Sequence, residues 1–157
     1  MKKSMFKIKN IFLISTIVIL LDQISKIFVL KNLNEGITLN LIPYLLDLRY
    51  IENTGAAFSI FSQQTTLLSL LSIIVSIGLI IWIIIKKSFT YLLGLTIGLL
   101  LGGTIGNGID RIRLGFVIDF LEIIPFDFPI FNLADLAIST SVFFIILDSL
   151  KSKKQLK

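Results

Sequence analysis

Two aspartates stand where an acid–base pair could work. Asp119 lies in Val117-Ile-Asp-Phe120, a charge embedded in an apolar run. Asp135 closes Phe131-Asn-Leu-Ala-Asp135, just where a long apolar stretch begins. Asn132 is its i, i+3 neighbour and would share its helix face. Two carboxylates in a poorly solvated place cannot both ionise, so such a pair holds one shared proton. One carboxylate then takes a proton from water while the other acid donates one to a leaving amine. This chemistry needs neither His nor Cys, and the chain has neither. Ser-His hydrolysis, thiolate nucleophiles and His or Cys metal sites are thereby excluded. The competing reading of the same spacing is structural: Asp135 caps a helix, and Asp119 pairs with Arg113 or Arg111.

Other costly polar residues have telling spacings. Asp22 and Lys26 lie four apart inside an apolar run and so share a helix face. They form either an intramembrane ion pair or a contact to substrate or lipid headgroup. Ser25 is adjacent to Lys26 and diverges from it by roughly 100°, which rules out a Ser-Lys pair within that helix. Asn107, Asp110 and Arg111 share a face at another helix end, where Asp110 and Arg111 would form a clamp or hold a catalytic acid. Asn53-Thr-Gly-Ala-Ala-Phe58 offers an amide that both donates and accepts, beside small residues that permit close backbone approach. It reads equally as an Asn-containing turn. Gly94, Gly98, Gly102 and Gly106 recur every four residues, a stripe suited to close helix packing. Gly102 and Gly103, nearer the outer end, could accommodate a substrate.

The elements that must position these residues follow from composition. Of 157 residues, 55% are hydrophobic and only 16% charged. A typical soluble domain carries about 25% charged residues. So little charge cannot cover a water-facing surface, and disorder needs the opposite balance. The chain reads as an α-helical membrane protein of one domain, residues 1–157. Apolar runs predict four transmembrane helices over about 11–30, 66–85, 88–109 and 132–149. The first is long and charged and lacks a small-residue cleavage site, so it is expected to be retained rather than removed as a leader.

Lysines at both ends of the chain and at Lys86-Lys87 fall on one side of a four-span arrangement. The positive-inside rule makes that side the cytoplasm, with both termini there. The formal charge of +5 thus reports topology, and the acid-rich outer segments argue against nucleic acid. Between the first two spans, Leu46-Asp-Leu-Arg-Tyr50 alternates apolar and polar and predicts a strand. A small antiparallel sheet is expected over about 36–62 at the outer surface, with 111–120 as a possible further strand. Gly36 and Gly55 are candidate hinges if that segment moves as a lid.

Five blocks in order carry a resemblance: Asp22-Gln-Ile-Ser-Lys26, Asn53-Thr-Gly-Ala-Ala-Phe58, Gly102-Gly-Thr-Ile-Gly-Asn-Gly-Ile-Asp-Arg111, Val117-Ile-Asp-Phe120 and Phe131-Asn-Leu-Ala-Asp135. Together they are similar to the signature blocks of lipoprotein signal peptidase (signal peptidase II). The resemblance implies a bacterial inner-membrane aspartic endopeptidase that removes the signal peptide of prolipoproteins, cutting before a diacylglyceryl-modified Cys. It implies four transmembrane helices with a small extracytoplasmic β-cradle, and an active site at the outer, periplasmic face. Asp119 and Asp135 would be the catalytic pair. Asn53, Gly103, Asn107, Arg111 and Asn132 would line the site, bind substrate or steady the pair, and Asp22 and Lys26 would support it. The implied partners are lipidated prolipoproteins and membrane phospholipids, with no metal, cofactor or nucleic acid.

Three other readings compete with this one. A proton-coupled transporter would place carboxylates near the midplane on inverted repeats; here they gather at one end and no repeat is visible. A structural assembly factor would not need Asp119 and Asp135 together. A Ser-Lys peptidase fails on the adjacency of Ser25 and Lys26.

Overall fold

The computed structural model describes residues 6–33, 37–55, 61–86, 88–126 and 128–154. The terminal lysines Lys2, Lys3 and Lys157, with Gly36, Ala56, Ala57, Phe58 and Lys87, lie outside them. Four helices are long and apolar enough to cross a membrane: α1 (Ile8–Asn32), α2 (Thr65–Lys86), α3 (Tyr91–Leu114) and α4 (Leu133–Lys154). Three strands form one antiparallel sheet in the order β1 (Thr38–Ile42), β2 (Leu46–Asn53), β3 (Val117–Ile123).

The third helix differs from its expected bounds of 88–109. Thr90 caps its start by accepting the Leu93 N–H at 3.2 Å, and it runs on through Asp110 and Arg111 to Leu114. Buried Asp110 has a lysine partner, so the charged pair does not end the helix. Gly115 ends it, at φ 84°, a left-handed conformation that glycine adopts without steric cost. The 111–120 segment is therefore half helix, and its strand portion starts at Val117.

The glycine stripe explains how the bundle closes. Small residues let helix backbones approach where apolar burial gives no net drive. A Cβ on Gly98 would come 2.9 Å from Ile14 Cβ, and one on Gly102 would come 2.8 Å from the Ser15 carbonyl oxygen. Gly106 faces the Asp22 carboxylate in the same way. The stripe thus seats α1 on α3. Gly103 lies about 100° round the helix, against the Ala134 carbonyl and Ile138 of α4. α2 packs chiefly on α3, with Ile83 in one buried cluster with Ile11 and Ile97, and leaves Leu70, Ile74, Ile77, Ile81 and Ile85 exposed, as a lipid-facing helix does.

The sheet sits over one end of the bundle. Strand alternation splits its faces. Ile118 and Phe120 of β3 join Leu48 and Tyr50 of β2 over Val29 and Leu33 of α1. Asp119, between them, faces the opposite way, towards a cavity beside α4. The pairing Asn53↔Val117 and Ile51↔Asp119 brings the end of β2 alongside the start of β3. Phe131 then bridges back to Leu121, which ties the segment before α4 to the free edge of β3.

This packing predicts a contrast between two glycines. Gly102→Ala should lower stability by about 1–3 kcal/mol, the usual cost of overpacking. Gly78→Ala on α2 meets no atom within 4 Å and should be neutral or slightly stabilising. Thermal unfolding of both variants in one detergent checks this, and equal stability of the two would contradict the α1–α3 seating.

Candidate active site

A cavity of about 720 Å³ opens between the sheet and the N-terminal end of α4. Asp119 and Asp135 both line it, with Asn53, Asn107 and Arg111. The rest of its wall includes apolar Phe128, Ile130, Leu136 and Ile138. Asp119 comes from the cavity face of β3, and Asp135 from the first turn of α4. The two expected acids therefore meet across a strand–loop–helix connection.

Each carboxylate is held by amides, not by arginine. Asp119 Oδ1 accepts from Asn132 Nδ2 at 2.7 Å, and its Oδ2 accepts from Asn53 Nδ2 at 2.8 Å. Asp135 Oδ1 accepts from Asn107 Nδ2 at 2.7 Å. The Asn132 backbone N–H reaches Asp135 Oδ2 at 3.3 Å, while the Asn132 side-chain oxygen accepts the Asp135 N–H at 2.9 Å. Asn132 is fully buried behind the cavity and touches both acids, so it sets their spacing. Asn132 Nδ2 also reaches Asn107 Oδ1 at 3.1 Å, which joins the two amide clamps into one network. Neutral amides fix geometry without forcing full ionisation, whereas a guanidinium at hydrogen-bond distance would hold both acids charged.

The pairing of Asp119 with Arg111 or Arg113, the alternative read from spacing, is not what orders the site. Arg111 Nη2 instead donates to the Gly55 carbonyl at 3.0 Å and so anchors the strand end that carries Asn53. Its Nε is buried without a partner among the described residues. Nor does Asp110 pair with Arg111 as a hydrogen-bonded clamp. Asp110 Oδ2 lies 2.7 Å from Lys26 Nζ.

Lys26 is the second layer. Its side chain is 2% exposed, and its ammonium meets Asp22 Oδ2 at 2.9 Å, Asp110 Oδ2 at 2.7 Å and Asn107 Oδ1 at 2.9 Å. Three hydrogens thus find three acceptors. Asp22 Oδ1 in turn accepts the Ala134 N–H at 3.0 Å, at the head of α4. Asp22 and Lys26 therefore form an ion pair, one of the two readings their spacing allowed, and they touch the site from behind. Gly103 also lies behind it, as the close contact between α3 and α4. Sequence spacing missed Gln23, whose amide lies within reach of Asp22, Asp110 and the Gly106 carbonyl.

The electrostatics suit acid–base work. The Asp119 carboxyl is pushed up to about 7, first by burial and then by the Asp135 charge across the cavity. Hydrogen bonds from Asn53 and Asn132 and the charge of Lys26 oppose that rise. Such a group gives up or takes a proton near neutral pH. Among the described residues, no three carboxylates gather as a metal-binding set.

Relatives share this architecture. The sequence profile of signal peptidase (SPase) II matches residues 14–151. Lipoprotein signal peptidase of Parasynechococcus marenigrum is 43% identical over 140 residues, covering 89% of this chain and 88% of that one. The lipoprotein signal peptidase of Enterococcus faecalis is 40% identical over 150 residues, covering 91% of each chain. A solved bacterial membrane enzyme superposes with a TM-score of 0.92 at 31% identity, covering 100% of this chain and 97% of that one. A second gives 0.85 at 32% identity, covering 96% and 99%. A four-helix membrane architecture with a three-stranded sheet, matched along nearly its whole length in sequence and in structure, places this chain in the signal peptidase II family, a family of peptidases.

Proposed function

We propose that this protein is an aspartic endopeptidase that removes the signal peptide from prolipoproteins whose Cys carries a diacylglyceryl group. It cuts the peptide bond just before that Cys, at the outer face of the bacterial inner membrane. The observation that carries the reading is the convergence of Asp119 and Asp135 on one cavity, each clamped by side-chain amides, in a chain with no His and no Cys. Family membership supports the substrate class. Lysines at the ends of the chain support a cytoplasmic placement of both termini. The cavity would then face the opposite, outer side, where water is available.

The chemistry follows from the shared proton. The ionised carboxylate takes a proton from a water held between the acids, and the resulting hydroxide oxygen bonds to the scissile carbonyl carbon. The protonated acid hydrogen-bonds the carbonyl oxygen as charge develops there. The tetrahedral intermediate collapses when a proton passes from the pair to the leaving nitrogen. The C–N bond breaks, leaving a carboxyl on the signal peptide and a free amine on the lipidated Cys. Asn53, Asn107 and Asn132 hold the acids throughout, and their neutrality lets the pair cycle between one proton and two: it gains one from water and returns one to the leaving nitrogen. Apolar Phe128, Ile130, Leu136 and Ile138 offer a wall for acyl chains beside the polar centre.

Asp119→Asn or Asp135→Asn should each reduce cleavage of a lipidated prolipoprotein in detergent by about 10³-fold or more, because the pair acts as a unit. Both variants should still unfold cooperatively near the wild-type temperature. Near-wild-type cleavage by either variant would remove that residue from catalysis. Equal cleavage of lipidated and unlipidated substrate would overturn the substrate assignment.

The pH dependence has a defined sign. The Asp119 carboxyl is raised in the folded protein, so its proton stabilises the fold at acid pH. That stability is withdrawn as pH rises from about 4 to about 7. The amide of the Asp119→Asn variant carries no such proton. The unfolding temperature of Asp119→Asn relative to wild type should therefore increase between pH 5 and pH 8. A difference that is flat over this range would show that Asp119 is not raised.

A further inference from the structure

The buried charges behind the site contain a symmetry that the proposed reaction does not require in itself. Asp22 and Asp110 both pair with Lys26 Nζ, and each uses its carboxylate to accept a backbone N–H at a second place. Asp22 Oδ1 takes the N–H of Ala134, the residue before Asp135. Asp110 Oδ2 takes the N–H of Ile118, the residue before Asp119, at 3.3 Å. The side chain of Gln23 joins the two halves. Its Nε2 lies 3.2 Å from Asp22 Oδ2, 2.9 Å from Asp110 Oδ1 and 3.2 Å from the Gly106 carbonyl oxygen. Asp22 and Asp110 are buried to 0% and 3% exposure.

We propose that Asp110, locked by Lys26 and Gln23, is the positioning residue for Asp119, as Asp22 is for the head of the helix that carries Asp135. The inference rests on the aspartic reading of the site. Rotating the Ile118–Asp119 peptide would swing Asp119 away from Asn132 and Asn53. The Ile118 N–H faces the bundle and not a neighbouring strand. The Asp110 carboxylate fixes its direction, and a carboxylate is a stronger acceptor than a carbonyl. Asp110 cannot drift, because one oxygen carries Lys26 and the other carries Gln23. Charge enters because Lys26 acts on both acids of the pair. Arg111 from α3 faces the same acids. Two carboxylates against one ammonium damp the pull of Lys26, so the hub sets both where Asp119 sits and how readily the pair gives up its proton.

Three readouts test this in one set of proteins. Asp110→Asn keeps the shape but removes a charge, so Lys26 pulls harder on the pair. We expect kcat for the lipidated substrate to fall about 10–100-fold with KM within about twofold. Both limbs of the pH–rate profile should move to lower pH by roughly half a unit or more. Amide exchange at Ile118 should quicken by about tenfold while that at Ala134 does not change. Gln23→Met lies outside the ion pairs; should Asp110→Asn fail to fold, it carries the test. It should lower kcat about threefold to tenfold at unchanged KM, with a lowered but still cooperative unfolding transition and faster exchange at Ile118. Unchanged kcat and exchange in Gln23→Met would overturn the assignment. A loss of activity in folded Asp110→Asn with unmoved pH limbs and unmoved exchange at Ile118 would also overturn it. If the wild type does not cleave, the reaction assignment fails on its own, and the exchange rates still decide the positioning role.

Discussion

A lysine ammonium that reaches no water needs an acceptor for each of its three hydrogens, and in a helix bundle those acceptors must come from neighbouring elements. Lys26 finds them on its own helix at Asp22 and on α3 at Asp110 and Asn107. Each acceptor spends its remaining capacity on something closer to the cavity. Asn107 holds Asp135, Asp22 holds the backbone before Asp135, and Asp110 holds the backbone before Asp119. Removing one member would leave a buried charge or donor unpaired, which is far more damaging than losing one surface contact. The hub therefore links the seating of α1 on α3 to the placement of both acids.

That seating is what the glycines provide. Gly98, Gly102 and Gly106 bring α1 so close to α3 that Asp22 touches the face of α3 that leads to Asn107 and Asp110. Gly103, one residue round the helix, brings α4 equally close on another side. Two helix contacts on neighbouring faces of α3 thus fix where α4 begins, and Asp135 sits in its first turn. The sheet completes the arrangement by anchoring one face on the end of α1 and turning Asp119 outwards from the other.

Much of this was legible in the amino acids. Apolar runs of bilayer length mark the four spans, and the alternation at Leu46–Tyr50 marks a strand. Spacing correctly put Asp22 with Lys26, and Asn132 with Asp135, since both pairs lie within one helical turn or its cap. What spacing could not show is contact across elements. Asp110 and Arg111 are neighbours in the chain, yet Asp110 belongs to Lys26, 84 positions away, and Arg111 to Gly55. A helix face says which residues point together, not what stands opposite. The same limit hid Gln23, an uncharged residue whose importance lies wholly in its distant partners, and it misplaced the end of α3, where a tertiary ion pair overrides the local cost of charge.

A proton shared by Asp119 and Asp135 near neutral pH has a vibrational signature of its own. Infrared difference spectroscopy of the carboxylic C=O stretch, taken on the wild type and on Asp119→Asn and Asp135→Asn across pH 5 to 9, measures this directly. The wild type should show a protonated-carboxyl band at neutral pH that titrates near 7 and is lost or displaced in both variants. A wild type with no such band at pH 6, or a band that either substitution leaves in place, would contradict the shared proton.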